Sequence, residues 1–228
     1  MSFEERDVSQ EHRWYYQQLV KKCAAALTKN GIAAHCVDTR DEALTKVLSM
    51  IPEGVRIGLG DSVTLDQVGV VQALEKRGGH EILSALRKNG KYSFPTDLQE
   101  GRKALAADYF LTGTNAVTLD GKLVYADGRG NRVAGVIYGS EKAIVVAGAN
   151  KIVTNVTDAL TRIKLVAAPL NAKRHYLKHA VDNPPPCALT GICIDCNHPR
   201  RICNFTVIVE HQTRPRLEVV LIAEELGL

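Results

Sequence analysis

This sequence predicts an α/β fold, a mainly parallel sheet with helices on both faces, and two observations predict it. Strand-like and helical patterns alternate along the first half of the chain, and Ile144-Val145-Val146 forms a continuous apolar run of the kind found in a central strand covered on both faces. With 228 residues and 45% hydrophobic content the chain can bury a sizeable core. The expected organisation is one α/β domain over 1–228 with a small C-terminal cysteine-rich appendage at 184–204.

The elements follow in order. Tyr16, Val20, Cys23 and Leu27 recur at helical spacing, which predicts a helix from Glu11 to Asn30 closed by Gly31, with Cys23 in the core. Ile32 to Val37 suits a strand, with Cys36 buried at its end. Thr39 and Glu42 form a capping box for a helix that stops near Pro52. The same pairing repeats as a strand over Val55 to Leu59 and a helix over Val63 to Lys76. It returns as a helix over Thr96 to Ala107 and a strand over Asp108 to Leu111. Asp120-Gly121 between two β-favouring runs, Val117 to Leu119 and Lys122 to Tyr125, signals a hairpin. A glycine-rich turn at 127–130, a short helix from Arg132, the Ala143 to Ala147 strand and a helix capped by Thr154 or Asn155 and running to Lys164 come next. After Pro169 the composition turns basic and then proline-rich, and Pro184-Pro185-Pro186 leads stiffly into the cysteines. Two strand-like runs, Phe205 to Glu210 and Leu217 to Ala223, are expected to return to the sheet.

Composition excludes several classes. The 29 basic and 25 acidic residues give +4 with no run of five like charges and few aromatics, which argues against nucleic-acid binding. No apolar run approaches the roughly 18 residues of a membrane span, and the polar, acidic start lacks the layout of a secretory signal. The expected compartment is therefore the cytoplasm, where clustered thiols are ligands more often than disulfides.

The sharpest motif is Cys187-x5-Cys193-x2-Cys196-x6-Cys203. Four thiolates on one short segment can surround a metal, and Gly191 and Pro199 supply the turns that bring them together. Structural zinc sites usually pair two knuckles, and only Cys193-Ile194-Asp195-Cys196 forms one. The spacing thus favours an iron–sulfur cluster of the [4Fe-4S] type, with zinc as the alternative. Either leaves excess negative charge that Arg200 and Arg201 can offset.

Four loops offer an anion site. Gly58 to Thr64, with Gly60, Ser62 and Thr64, lies where a strand passes into a helix; it matches neither a Walker loop nor a dinucleotide fingerprint. Gly113, Thr114 and Asn115 follow a strand, Asn131 and Arg132 follow the hairpin, and Asn150 and Lys151 follow the Ile144 strand. Loops after strand ends are where open α/β sheets place ligands. Lys151 and Arg132 are the best anion partners, one of them expected to prove structural. The seven histidines form no evident metal pair, and no nucleophile with a visible base emerges.

Taken together, Gly60-Asp-Ser-Val-Thr64, Thr112-Gly-Thr-Asn-Ala116, Asp120-Gly121, Gly130-Asn-Arg132 and Val146-Ala-Gly-Ala-Asn-Lys151 resemble the lactate-utilisation (LUD) domain family from about residue 10 onward. The resemblance implies a NagB/RpiA/CoA-transferase-like fold. It also implies a role in lactate oxidation within a system whose other parts carry iron–sulfur clusters. No Ser-Glu-Asn-Gly motif is present, and Glu141 lacks the following Asn-Gly, which argues against glutamyl-thioester chemistry.

The first functional expectation is an oxidoreductase subunit for a small 2-hydroxy or 2-oxo acid, with electron-transfer partner subunits and a size compatible with a homodimer. The second is a non-redox enzyme or binding protein for a sugar phosphate or acyl compound, carrying structural zinc. The third is an interaction subunit whose metal knob docks a partner.

Overall fold

The computed structural model describes residues 7–88, 91–92, 97–179 and 182–228. Helix α1 (Ser9–Lys29) ends in paired bonds from the Gly31 N–H to the Thr28 carbonyl and from the Ile32 N–H to the Leu27 carbonyl. This closure requires the left-handed Gly31 at φ +77°. Strand β1 (Ala33–Val37) leads to α2 (Arg40–Ser49), where the Thr39 hydroxyl accepts the Glu42 N–H; the Glu42 carboxylate in turn accepts the Asp38 N–H, one residue before the cap. Strand β2 (Arg56–Leu59) follows. The single helix expected after it is instead two, α3 (Val63–Val68) and α4 (Val70–Arg77), because Gly69 adopts φ +81° and breaks the run. Strand β3 (Glu81–Leu83) and a small hairpin of β4 (Arg87–Lys88) and β5 (Lys91–Tyr92) precede α5 (Leu98–Leu105), capped by Asp97. The expected start of that helix, Thr96, lies outside the described residues.

Strand β6 (Tyr109–Gly113) is followed by the hairpin of β7 (Ala116–Thr118) and β8 (Leu123–Asp127), paired antiparallel as the Asp-Gly turn predicts. Helix α6 (Asn131–Ala134), a π turn, β9 (Lys142–Gly148) and β10 (Ile152–Val153) come next. Helix α7 (Val156–Arg162) is capped by Asn155, which accepts the Asp158 N–H. It runs through a second π turn into α8 (Ala168–His179). That continuation overturns the sequence expectation of a helix ending at Lys164. Pro169 directly follows this π turn, whose altered winding takes up a residue without an N–H inside the continuous helix. Helix α9 (Pro186–Thr190), β11 (Phe205–Val209) and β12 (Leu217–Ile222) complete the chain.

The main sheet has the order β1-β12-β9-β6-β2-β3 and is parallel throughout. Alternate residues of β9 face opposite cores: Ala143, Val145 and Ala147 pack with α1 and the second sheet, whereas Ile144 and Val146 pack with α2, α3 and α4. Two-sided burial explains the consecutive apolar run. A second sheet, β10-β7-β8-β11, covers one face. The two final runs therefore go to different sheets: β11 pairs with β8, and β12 inserts between β1 and β9. Cys23 is fully buried as expected. Cys36 is exposed, contrary to expectation, because β1 is an edge strand. No helix among the described residues is long and apolar enough to cross a membrane.

Packing of α5 on β2 allows no side chain at residue 58. A Cβ there would lie 2.1 Å from the Ala104 carbonyl oxygen and 2.9 Å from the Phe110 ring. Gly58→Ala is expected to lose about 3 kcal/mol in urea denaturation, since neither backbone nor ring can withdraw without lifting α5. A variant as stable as the parent would contradict this packing.

Candidate functional site

Strands β9, β6 and β2 are adjacent and parallel, so the loops that leave their C-terminal ends emerge side by side. This brings together Gly60 to Thr64, Gly113 to Asn115 and Ala149 to Lys151. The fourth predicted loop arrives from β8 of the second sheet. Between them lies a small pocket of about 40 Å³ whose polar lining includes Asp61, Ser62, Thr114, Asn115, Arg132 and Lys151. Gly113 also lines it; a Cβ there would meet the Ser62 hydroxyl at 2.7 Å, so glycine lets the two loops close.

Lys151 is the central group. It is 4% exposed, and its Nζ donates to the Thr64 hydroxyl at 2.8 Å and to the Thr114 carbonyl at 3.1 Å. Among the described residues no carboxylate pairs with it. Burial, reinforced by repulsion from Arg162 and Arg132, pulls its amine down to about 7. Gly227, at φ +76°, passes so close that a Cβ would stand 2.5 Å from Nζ.

Arg132, the other predicted anion partner, is engaged within the protein. Its guanidinium donates to Asp127 Oδ2 at 3.2 Å, Asn115 Oδ1 at 2.8 Å and the Ala126 carbonyl at 2.5 Å, and it lies over the Tyr125 ring. Asn115 likewise accepts the Ala126 N–H. These bonds tie the loops of the two sheets together. Ser62 caps α3 by accepting the Leu65 N–H at 3.3 Å. Thr64 orients Lys151. Gly60 packs on Thr112, where a Cβ would meet the hydroxyl at 2.6 Å. Asn150 turns away from the pocket and accepts the Leu226 N–H, and Asn131 lines a neighbouring, larger cavity.

Sequence reasoning missed the contribution of α8. Asp61 takes a two-pronged ion pair from Arg174, both bonds 2.8 Å, with His175 at 3.6 Å. Burial pushes the Asp61 carboxyl up, but Arg174, helped by Lys178 and His175, outweighs it and holds the group well below the usual carboxylate range. Burial brings His175 down to about 4; repulsion from Arg174, His179 and Lys178 adds to that and opposes the pull of Asp61. The available signal was the polar stripe Asn171, Arg174, His175, Lys178 and His179, spaced three and four apart on one helix face. Arg162 was missed as well. It donates to the carbonyls of Asn150 and Asn115 at 3.1 and 2.6 Å and braces two of the loops.

All four clustered cysteines are free and half-buried. Burial raises the Cys187 thiol, and Cys196, Cys203 and Cys193 each raise it further, so the four sulfurs share one neighbourhood. Asp195, with φ +50°, turns the chain between Cys193 and Cys196. Arg201 donates to the Cys196 carbonyl at 2.7 Å and to Asp195 at 3.0 Å, and the neighbouring Cys203 and Asp195 raise its guanidinium further. Arg200 instead lines the larger cavity, and His198 accepts the Arg200 N–H within a turn. Among the described residues, no three His, Cys, Asp or Glu side chains already stand at ligating positions. The donor set of four thiols beside one guanidinium nevertheless has the chemistry to take a thiophilic metal.

A family model described as the LUD domain matches residues 20–222. Among solved structures, the chain is similar to a DUF162 family protein from Deinococcus radiodurans. The TM-score is 0.51 at 12% identity, over 91% of this chain and 98% of that one, a likeness of fold. It also matches an apo cysteine desulfurase from Thermococcus onnurineus NA1, with TM-score 0.35 and 15% identity over 64% of this chain and 36% of the other. No curated protein matches.

Proposed function

The chain belongs to the LUD domain family, and from that premise we propose that it binds a small 2-hydroxy or 2-oxo acid such as lactate or pyruvate as a subunit of an oxidoreductase. The observation that supports this is Lys151, a buried amine with no carboxylate partner among the described residues, held at the wall of a small pocket. The pocket has room for about three waters, which suits a carboxylate better than a sugar phosphate. Lys151 supplies the charge, Ser62 and Asn115 supply polar contacts, and Arg132 and Arg162 hold the loops in place.

In this reading Cys187, Cys193, Cys196 and Cys203 hold a [4Fe-4S] cluster, with Arg201 offsetting its charge. Such a cluster passes electrons singly, whereas oxidation of a 2-hydroxy acid removes two electrons and two protons, so a further carrier or partner subunit completes the reaction. Anaerobic purification tests the assignment. A brown protein with about four irons per chain, lost in Cys193→Ser and Cys196→Ser, is the expected result. A colourless protein with one zinc per chain would overturn it and leave a structural clip.

A further inference from the structure

Beside the small pocket lies a second cavity of about 500 Å³, which the acid-binding reading does not use. The two share Asp61, Arg132 and Asn171 at their junction. A three-carbon acid would leave most of this space to water. The volume falls within the roughly 300–1,000 Å³ of cavities that enclose small ligands.

Its lining is asymmetric in charge. Arg129, Arg132, Arg200 and Arg201 face two aspartates, Asp61 and Asp127, and both are already matched inside the protein. Arg174 pairs with Asp61. Asp127 takes Arg132 at 3.2 Å and the N–H groups of Arg129 and Gly130 at 3.0 and 2.8 Å. Among the described residues Arg132 is engaged by Asp127 and Arg201 by Asp195 at 3.0 Å, so the charge offered to a ligand comes mainly from the exposed Arg200, whose guanidinium fork suits the oxygens of a phosphate monoester.

The remaining walls are flat or apolar. Helix α8 presents His175, Tyr176 and His179, and the cysteine segment presents Pro184, Pro185 and Pro199. Burial holds the His175 imidazole well below its usual range, so it offers a neutral ring. Gly128 lets the phosphate-side loop approach the cysteine segment, since a Cβ there would meet Ile202 Cα at 3.2 Å; Asn204 holds the same junction by donating to the Gly128 carbonyl at 2.9 Å.

We propose that this cavity, between α8 and the cysteine segment, binds a phosphate monoester carrying a flat ring, of mononucleotide size. Arg200 receives the phosphate, and the ring lies among the imidazoles, Tyr176 and the prolines. The proposal goes beyond the acid-binding reading and stands independently of it, because Lys151 does not line this cavity.

Calorimetric titration of the full chain tests it, with flavin mononucleotide and AMP as probes. Riboflavin and adenosine serve as the phosphate-free counterparts, and ribose 5-phosphate as the ring-free one. At least one mononucleotide is expected to bind saturably, tenfold or more tighter than its phosphate-free counterpart and than ribose 5-phosphate. Arg200→Glu, at an exposed position, is expected to weaken that binding at least tenfold. Arg200→Ala should weaken it less, and pyruvate binding should stay within twofold in both. No saturable binding by either mononucleotide would overturn the proposal. So would ribose 5-phosphate binding equally well, or an Arg200→Glu variant that is folded by circular dichroism and binds as the parent does. Loss of pyruvate binding in the parent protein would instead strike the acid-binding reading alone.

Discussion

Lys151→Met is expected to weaken pyruvate and lactate binding roughly a hundredfold, about 3 kcal/mol, while making the protein more stable near neutral pH. The two effects share one cause. A buried ammonium with only a hydroxyl and a carbonyl for company is well placed to attract an anion and poorly solvated without one. The sign follows from linkage. The amine titrates at about 7 in the folded chain against 10.5 when exposed, so the unfolded state binds more protons between those values. The cost of burying Lys151 is complete below about pH 7 and is relieved as pH rises toward 10.5. Methionine removes that cost but leaves Thr64 and the Thr114 carbonyl without a partner, at about 1 kcal/mol each, so the net gain should be about 1–2 kcal/mol at pH 6. Urea denaturation at pH 6 and pH 9 should show the gap between variant and parent shrinking. A variant less stable than the parent at pH 6 would contradict the account of a poorly solvated amine.

Asp61→Ala is expected to destabilise the protein by about 3 kcal/mol, as is Arg174→Ala, because each strands a mostly buried charge. The double variant should lose less than the sum, with a coupling of about 2 kcal/mol. Asp61 has its folded value depressed below the ordinary 3.8, so its contribution is present above that pH and is lost as pH falls below it. Asp61→Asn should therefore flatten the acid limb of the stability curve. Additive single losses in denaturant titrations would mean that the two side chains do not act as a pair. Because Asp61 and Arg174 fasten α8 beside the small pocket, both variants should also weaken acid binding.

Much of the frame was legible in local sequence, and the reasons are physical. Thr39 and Asn155 cap helices through bonds to residues three positions on, and Asp120-Gly121 sets its hairpin without outside help. The loops around Ser62, Thr114 and Lys151 could be grouped because parallel neighbours emit their loops at one edge. What escaped depends on distant partners. Nothing local in Leu217 to Ile222 places that strand between β1 and β9. Arg132 looked like an anion partner because Asn115, one of the groups that occupy it, sits on another loop. Helix α8 was hidden by Pro169 and by the π turn that carries the chain into it from α7, and with it went Arg174 and His175.

The central claim is that the four loops form an anion pocket charged by Lys151. Its most direct test is calorimetric titration of pyruvate into the full chain across pH 5.5 to 9. Affinity should be highest at the acid end and fall at least tenfold as pH rises through and above 7, where Lys151 loses its proton. Binding that is independent of pH over that range, or no binding at pH 6, would contradict it.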